Sequence, residues 1–407
     1  MGFLAKSPKP VLNNAVDASP VLTLPELVNG LGGATTSGEI VTPENSKSIA
    51  TAYRAGNIIS DDVAKMPLQQ FLRVDRDIRR VEPDPWMRNI PYLLEISPNL
   101  WGWTPFHFKK VFMQWLIYWG NGLIWRPPKR PAELFVLPAN RTRPVFDEGG
   151  NLWYQHTFLS GKTEYLPDVE VLHSMINPDY TGFWGRGVVT FARETFGKQL
   201  GAYKTQAKLF AQGMNASAVI QMGTKLDKEG RKKVRDAYEE AMSGTDNAYR
   251  LAVLDSAVVK FEPIQMKLAD AQFLQQINAT DLDIANFFGM PSHMLNMGKQ
   301  AYSSNDQKFG EYLQGTLDAY LVPVEQGARV RWVPLEDQVR SYFKFNRDSL
   351  LRMDPKARAE MNEIKIRSGQ LNPNEGREKD DMSAYPDGDK FYMTKNNGPI
   401  GVDGNEE

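Results

Sequence analysis

The chain has no cysteine, which excludes disulfides, thiolate metal sites and a cysteine nucleophile. It has almost no net charge: 48 Lys and Arg stand against 49 Asp and Glu, a formal −1. No global field draws it to phosphate or to an anionic membrane surface, which argues against a tight nucleic-acid binder. Histidine is scarce. The four residues His107, His156, His173 and His293 stand in no HExxH or other close ligand spacing, and each reads as structural. Long apolar runs are missing as well. The nearest, Val111 to Trp125, falls short of the roughly 20 residues that span a bilayer and contains Gln114 and Asn121. It reads as a buried core helix. Met1 to Pro25 carries no continuous apolar segment of the signal-peptide kind.

Motifs for chemistry are equally thin. Gly161-Lys162-Thr163 has the ending of a phosphate loop, but that motif needs glycine five positions earlier, where His156 stands, and it must open a helix. Gly182, Gly185 and Gly187 run in the wrong order for a dinucleotide fingerprint and read as a turn into the next helix. Asp281 and Asp283 are two apart, so on a helix they point to different faces and do not share a proton or a metal. No nucleophile, base and oxyanion site assembles. The expectation is no enzyme and no cofactor.

What the chain does contain is a sequence of well-signalled elements, long enough at 407 residues for two or three domains. Residues 1–41 are rich in Pro, Gly, Ser, Thr and Asn and read as a flexible arm. Thr42-Pro43-Glu44 starts a helix, with Thr as N-cap and Pro at the first position. Ile49, Ala52, Tyr53, Ile59 and Val63 then share a face until Pro67. Leu68 to Val74 reads as a strand. Residues 75–190 form an aromatic, proline-punctuated α+β body: a helix over Thr104–Trp119, then strands near 122–125, 134–137, 153–159 and 169–175. Asp147-Glu148-Gly149-Gly150 is a hairpin signal.

After residue 190 the character changes. Leu200, Tyr203, Ala207, Phe210 and Met214 recur at alternating spacings of three and four, a coiled-coil-like seam that calls for a partner helix. A small α/β unit follows, with strands near 219–222, 251–254 and 258–266 around a charged helix at 227–242. A helix from about Asp270 carries Phe273, Ile277, Ile284 and Phe288 on one side and is stopped at Gly289 and Pro291. The loop Met294–Ser304 holds Asn296, Met297, Gly298, Lys299, Gln300, Tyr302 and Ser303; Gly and Asn favour turns, and few large apolar anchors are present. It reads as mobile. A further helix runs to about Arg331 with an interruption at Pro323, followed by a strand at 342–345, helices at 355–367 and 373–380, and a polar, disordered tail from Asp381.

The segment Ile284–Leu317, together with Leu137-Pro138, Leu172-His173, Gly182–Gly187, Asn247-Ala248, Asp354, Arg358, Gly369 and Asn374-Glu375-Arg377, resembles the portal (head-to-tail connector) proteins of tailed bacteriophages, of the long-tailed-phage type. The individual motifs are ordinary; their order from Val41 to Arg377 is what is specific. One departure is Asn346, where the family has an acid; another is Gly122-Leu123, where small and aromatic residues are more usual.

The resemblance implies a portal fold: an α/β wing (42–190 and 305–350), stem helices (191–215 and 267–292), a clip (216–266), a tunnel loop (293–304), a helical crown (351–380) and a tail (381–407). It implies a dodecameric ring at one capsid vertex of the virion, assembled in the host cytoplasm, through which double-stranded DNA passes. Implied partners are the terminase large subunit, the head-completion adaptor, the major capsid protein and the scaffold, with no membrane. Asp270, Asp281 and Asp283 become channel-facing candidates, with Lys204 and Lys208 as alternatives. Lys228, Arg231, Lys232, Arg235 and Glu239 become a docking surface on the clip. Two other classes stay open: a different structural virion protein, such as a capsid or adaptor subunit, and a DNA-processing enzyme.

Overall fold

The computed structural model describes residues 35–75, 77–211, 218–222, 227–230, 232–233, 236, 258–263, 270–296, 310–350, 355–378, 380 and 382–392. The chain divides between Asn346 and Arg347 into two compact units. The fold is mixed α/β, with small antiparallel sheets and helices.

The first unit opens with α1 (Pro43–Ser46), closed by a reciprocal cap in which Asn45 N–H donates to the Thr42 hydroxyl and Thr42 N–H to the Asn45 side chain. The expected single helix is two: α1 ends at Lys47 and α2 (Ala50–Lys65) starts afresh. Tyr53, expected on the buried face, is 57% exposed, because the face centres on Ala52, Ala55, Ile59 and Val63. Strand β1 (Leu68–Val74) follows, then β2 (Asp77–Arg80), which sequence reading missed. All four β2 residues are exposed, so no alternation marks it.

Helix α3 (Ile90–Glu95) is capped by the Asn89 side chain, and α4 (Pro105–Trp119) by Thr104. Gly120 terminates α4 at φ 82, a left-handed stop. Phe108, Phe112, Met113, Leu116 and Ile117 bury α4 against α2, as a core helix. No helix of the described residues is long and apolar enough to cross a membrane. Lys109 on this helix is nearly buried and donates to the Met66 carbonyl at 2.5 Å; burial lowers its pKa to about 8 against the opposing pull of Glu95.

Then come β3 (Asn121–Trp125), β4 (Phe135–Leu137), β5 (Thr142–Phe146), β6 (Leu152–Thr157), β7 (Thr163–Pro167) and β8 (Val171–Met175). They form two sheets, ordered β4–β3–β8 and β5–β6–β7. The hairpin at Asp147–Gly150 joins the unforeseen β5 to β6, and the unforeseen β7 pairs along the other edge of β6. A helical turn α5 (Val188–Phe191) leads into α6 (Arg193–Ala211). Strands β9 (Ala218–Met222) and β10 (Val258–Pro263) pair antiparallel, and α7 (Asp270–Phe287) returns. The strand expected at 251–254 lies outside the described residues.

A π-helical turn, Leu313–Leu317, runs directly into α8 (Asp318–Trp332). Pro323 does not interrupt α8. It forfeits one backbone bond, but Tyr320, Leu321, Val324 and Ala328 bury one face of the helix and hold it through Trp332. Strand β11 (Ser341–Phe345) closes the unit by pairing with β1, from Leu68 opposite Phe345 to Leu72 opposite Ser341. The sheet order is β11–β1–β2.

The second unit holds α9 (Pro355–Arg367) and α10 (Pro373–Glu378). The segment from Met382, expected to be disordered, is ordered as far as Tyr392. Its anchor is Asn374, which donates to the Tyr385 carbonyl at 3.1 Å and Asp389 at 2.8 Å and accepts from Tyr385 N–H at 3.0 Å. One buried asparagine with three good bonds holds a polar tail that has little apolar surface of its own.

Candidate channel-forming helices and their anchors

The elements on which the sequence placed a conduit are α6, the β9–β10 pair and α7. Helices α6 and α7 pack against each other. In the protomer the buried face of α6 starts earlier than the expected seam, with Ala192, Phe196 and Gln199. Leu200 and Tyr203 are half-buried and Ala207 is exposed. The side chains of Phe210, Met214 and Phe273 lie outside the described residues. On α7, Ile277 is half-buried, while Ile284 and Phe288 are wholly enclosed within the protomer, with Phe288 edge-on to Tyr118 at 5.9 Å. These two belong to the core of the body and not to an exposed helix face. On the same helix, Leu282 and Phe287 are exposed.

Asp281 is half-buried. It accepts from the Thr51 hydroxyl at 2.7 Å and from the Gln199 amide at 3.4 Å, which ties α2, α6 and α7 at one polar junction. Gln199 is only 1% exposed, and its amide also donates to the Tyr203 hydroxyl at 3.1 Å. A charge-accepting bond at an enclosed site is stronger than a neutral one and fixes the crossing of the helices. Asp283, by contrast, is exposed. Lys204 is committed to an ion pair with Glu39. The side chains of Asp270 and Lys208 lie outside the described residues.

Glu39 belongs to the expected flexible arm, whose last residues are in fact seated on α6. Thr36 donates to Glu194 through N–H at 3.0 Å and hydroxyl at 2.6 Å. Thr35 is buried where a Cβ on Gly197 would come within 2.4 Å. Glycine in mid-helix is unfavourable unless something must approach closely, and here Thr35 does. That glycine was the available signal.

The expected mobile loop begins with anchored residues. Ser292–Leu295 is a 3-10 turn, Leu295 is buried, and Asn296 sits in the left-handed region at φ 60. Arg54 donates twice to the Met294 carbonyl, at 3.2 and 3.1 Å. Thr316, in the π turn, donates to the Gly289 carbonyl, and Tyr312 donates to Asp62 at 3.2 Å. Met297, Gly298, Lys299, Gln300, Tyr302 and Ser303 lie outside the described residues. On the helical residues of the inserted unit, Lys228 and Lys232 are exposed, and Asp227 caps their start by accepting from Gly230 N–H at 2.7 Å. The side chains of Arg231, Arg235 and Glu239 lie outside the described residues.

Two histidines are built into the body. Asn121 donates through its amide to the Gly185 and Trp119 carbonyls, so its oxygen accepts from Gly185 N–H at 2.7 Å and from His173 Nε2 at 2.9 Å. His173 Nδ1 is then the acceptor for the Tyr154 hydroxyl at 3.0 Å, and the ring is neutral. Burial, aided by Arg331, holds its pKa down at about 3; burial, aided by Arg141, holds His156 at about 4. The folded chain refuses protons that the unfolded chain accepts near pH 6.5. Stability is therefore full above about pH 6.5 and falls as the solution is acidified toward those two values. Urea midpoints taken between pH 6.5 and 4.5 should decline in the native chain, and His156→Gln should flatten that decline.

Comparison with known proteins agrees with this architecture. The family model for phage portal proteins matches residues 50–381. The probable portal protein of Streptomyces phage phiC31 is 27% identical over 401 residues, covering 93% of this chain and 84% of its own. An HK97 family phage portal protein from Corynebacterium diphtheriae superposes with a TM-score of 0.57 at 18% identity, covering 79% of this chain and 99% of that one. A chain in the neck of a native gene transfer agent particle, computed with C12 symmetry, superposes with a TM-score of 0.51 at 17% identity, covering 84% and 95%. The chain belongs to the phage portal protein family.

Proposed function

We propose that this protein forms a dodecameric ring at a unique capsid vertex and acts as a passive conduit for the genome during packaging and ejection. The observation that carries the reading is the excursion α6–β9–β10–α7, in which two packed helices flank a small paired-strand insertion and return to a body closed by β1 and β11. In this reading α6 and α7 are the stem, the insertion between them the clip, the body the wing and the second unit the crown. The C12 symmetry used for the superposing neck supports the ring number. The long-tailed-phage subtype is part of the same proposal.

A conduit needs no catalytic group, and the enclosed histidines, Asp281 and Lys109 all serve hydrogen bonds inside the body. Asp283, on the exposed side of α7, is the acid best placed to face passing DNA, which a negative wall would not grip. The reading is tested by negative-stain microscopy and native mass measurement of the purified protein. Rings with a central hole support it. A stable monomer with hydrolytic activity would favour a processing enzyme, and closed shells would favour a capsid subunit.

The clip is the proposed platform for the terminase motor and later for the head-completion adaptor. Lys232 and Lys233 are both exposed, and a polar docking surface is salt-sensitive. Reversing both to Glu should leave rings intact and lower motor-stimulated packaging several-fold at moderate salt. Unchanged packaging would mean that this face is only solvated.

A further inference from the structure

Two strongly exposed apolar features leave the sheet β11–β1–β2 at diagonally opposite corners. Strands β2 and β11 are its two outer strands. Along β2 the register runs toward the start of β1, with Arg80 opposite Phe71 and Val81 N–H bonded to the Gln70 carbonyl. The chain continuing from there presents Trp86, 95% exposed, and Met87, 79% exposed. At the other corner, Arg340 accepts from Arg73 N–H beside the end of β1, and the turn just before it presents Leu335 and Val339, each 82% exposed.

Both features are rigidly mounted. Asp84 accepts from the backbone N–H groups of Trp86 and Met87 at 2.8 and 3.1 Å, an Asx turn. Arg88 is held at φ 44, and its guanidinium donates to the Ala132 and Ser97 carbonyls. A non-glycine residue in that region costs free energy and persists only where its surroundings enforce it. The opposite turn is fixed by Gln338, which donates to the Val330 and Val333 carbonyls at 3.1 and 3.2 Å. Pre-ordered Trp and Met are the side chains that dominate interface energetics, since little entropy is lost when they are covered.

We propose that the Trp86–Met87 knob of one copy seats on the Leu335–Val339 turn of the next copy around the ring; this rests on the ring reading above. The occupant is a second copy because the chain itself carries both halves. Placed at opposite edges and opposite ends of one sheet, they join head to tail, and a head-to-tail contact closes into a ring when the rotation allows. Charge is mixed on both sides, with Asp77, Arg79 and Glu82 exposed on the knob side and Glu336, Asp337 and Arg340 exposed at the turn, so the contact is carried by its apolar side chains.

The absence of native cysteine makes the test clean. Met87→Cys and Val339→Cys are made singly and together in the full chain, and each protein is treated with a short bismaleimide. The expected result is a ladder extending beyond dimer on a denaturing gel, from the double variant alone. In parallel, Trp86→Ala or Leu335→Ala should raise the concentration needed for assembly about tenfold or more. Rings of normal mass with no ladder would overturn the inference and leave the ring reading standing, the knob then meeting another virion protein. Dimers from Met87→Cys alone would overturn it by showing knob against knob. Failure of the unmodified chain to form rings would overturn both.

Discussion

Ile284→Asp should yield a protein that does not fold, and not a folded monomer that merely fails to form rings. Ile284 is completely enclosed within one protomer, beside Ala285 and one turn before Phe288. A carboxylate there has no partner, and an uncompensated buried charge costs about 3–5 kcal/mol. That is a large share of the roughly 5–15 kcal/mol by which a domain is stable. The check is far-ultraviolet circular dichroism with thermal melting, alongside sedimentation. Loss of the cooperative transition is expected. A folded monomer with an unchanged melt would place Ile284 at a subunit interface instead.

The second large effect lies in the glycine series 182–185–187. A Cβ on Gly187 would stand 2.0 Å from the Tyr118 carbonyl oxygen, and one on Gly185 would stand 2.2 Å from the Gly120 carbonyl oxygen. Gly120, itself at φ 82, would press on the Arg186 backbone at 2.4 Å. Two stretches of main chain thus touch with no room for side chains. Neither can yield, because Asn121 grips both backbone polar groups of Gly185. Gly187→Ala should therefore cost about 4 kcal/mol or more, among the largest effects of a single substitution. Gly182→Ala is the control: its Cβ meets nothing within 4 Å, and only φ 75 opposes it, for about 1–2 kcal/mol. Thermal melts that rank the two equally would refute the close-packing account.

Much of the fold was legible because its signals are local. Thr42-Pro43 and Thr104-Pro105 announce helix starts, and β1 runs from Leu68, just after Pro67, to Val74 as expected. The helix pair around the insertion was legible from spacing alone. What escaped had no local signature. Strand β2 is wholly exposed, and its existence depends on β1 beside it. The part of α6 that is buried within the protomer escaped because Gln199, polar by type, is buried by bonds to Asp281 and Tyr203, whereas Leu200, apolar by type, stays half-buried. The tie of Asp281 was hidden for the same reason: nothing near it in sequence announces that a remote threonine, Thr51, is brought against it. Family resemblance supplied the organisation, and hydrogen bonds across more than two hundred residues supplied the anchors.

The pairing of β1 with β11 has a consequence for how the chain is made. About 280 residues separate Leu68 from Phe345, so at a synthesis rate of roughly 5–20 residues per second β1 waits tens of seconds for its second neighbour. Its hairpin with β2 can form at once, but the other edge stays open while the whole α6-to-α7 excursion is being translated. An open strand edge is a template for pairing with other chains, and many copies of this chain translated on adjacent ribosomes would offer the same edge together. Yield in the host should therefore depend on how fast the ribosome reaches Phe345, and slowed translation should favour aggregates over soluble protomers.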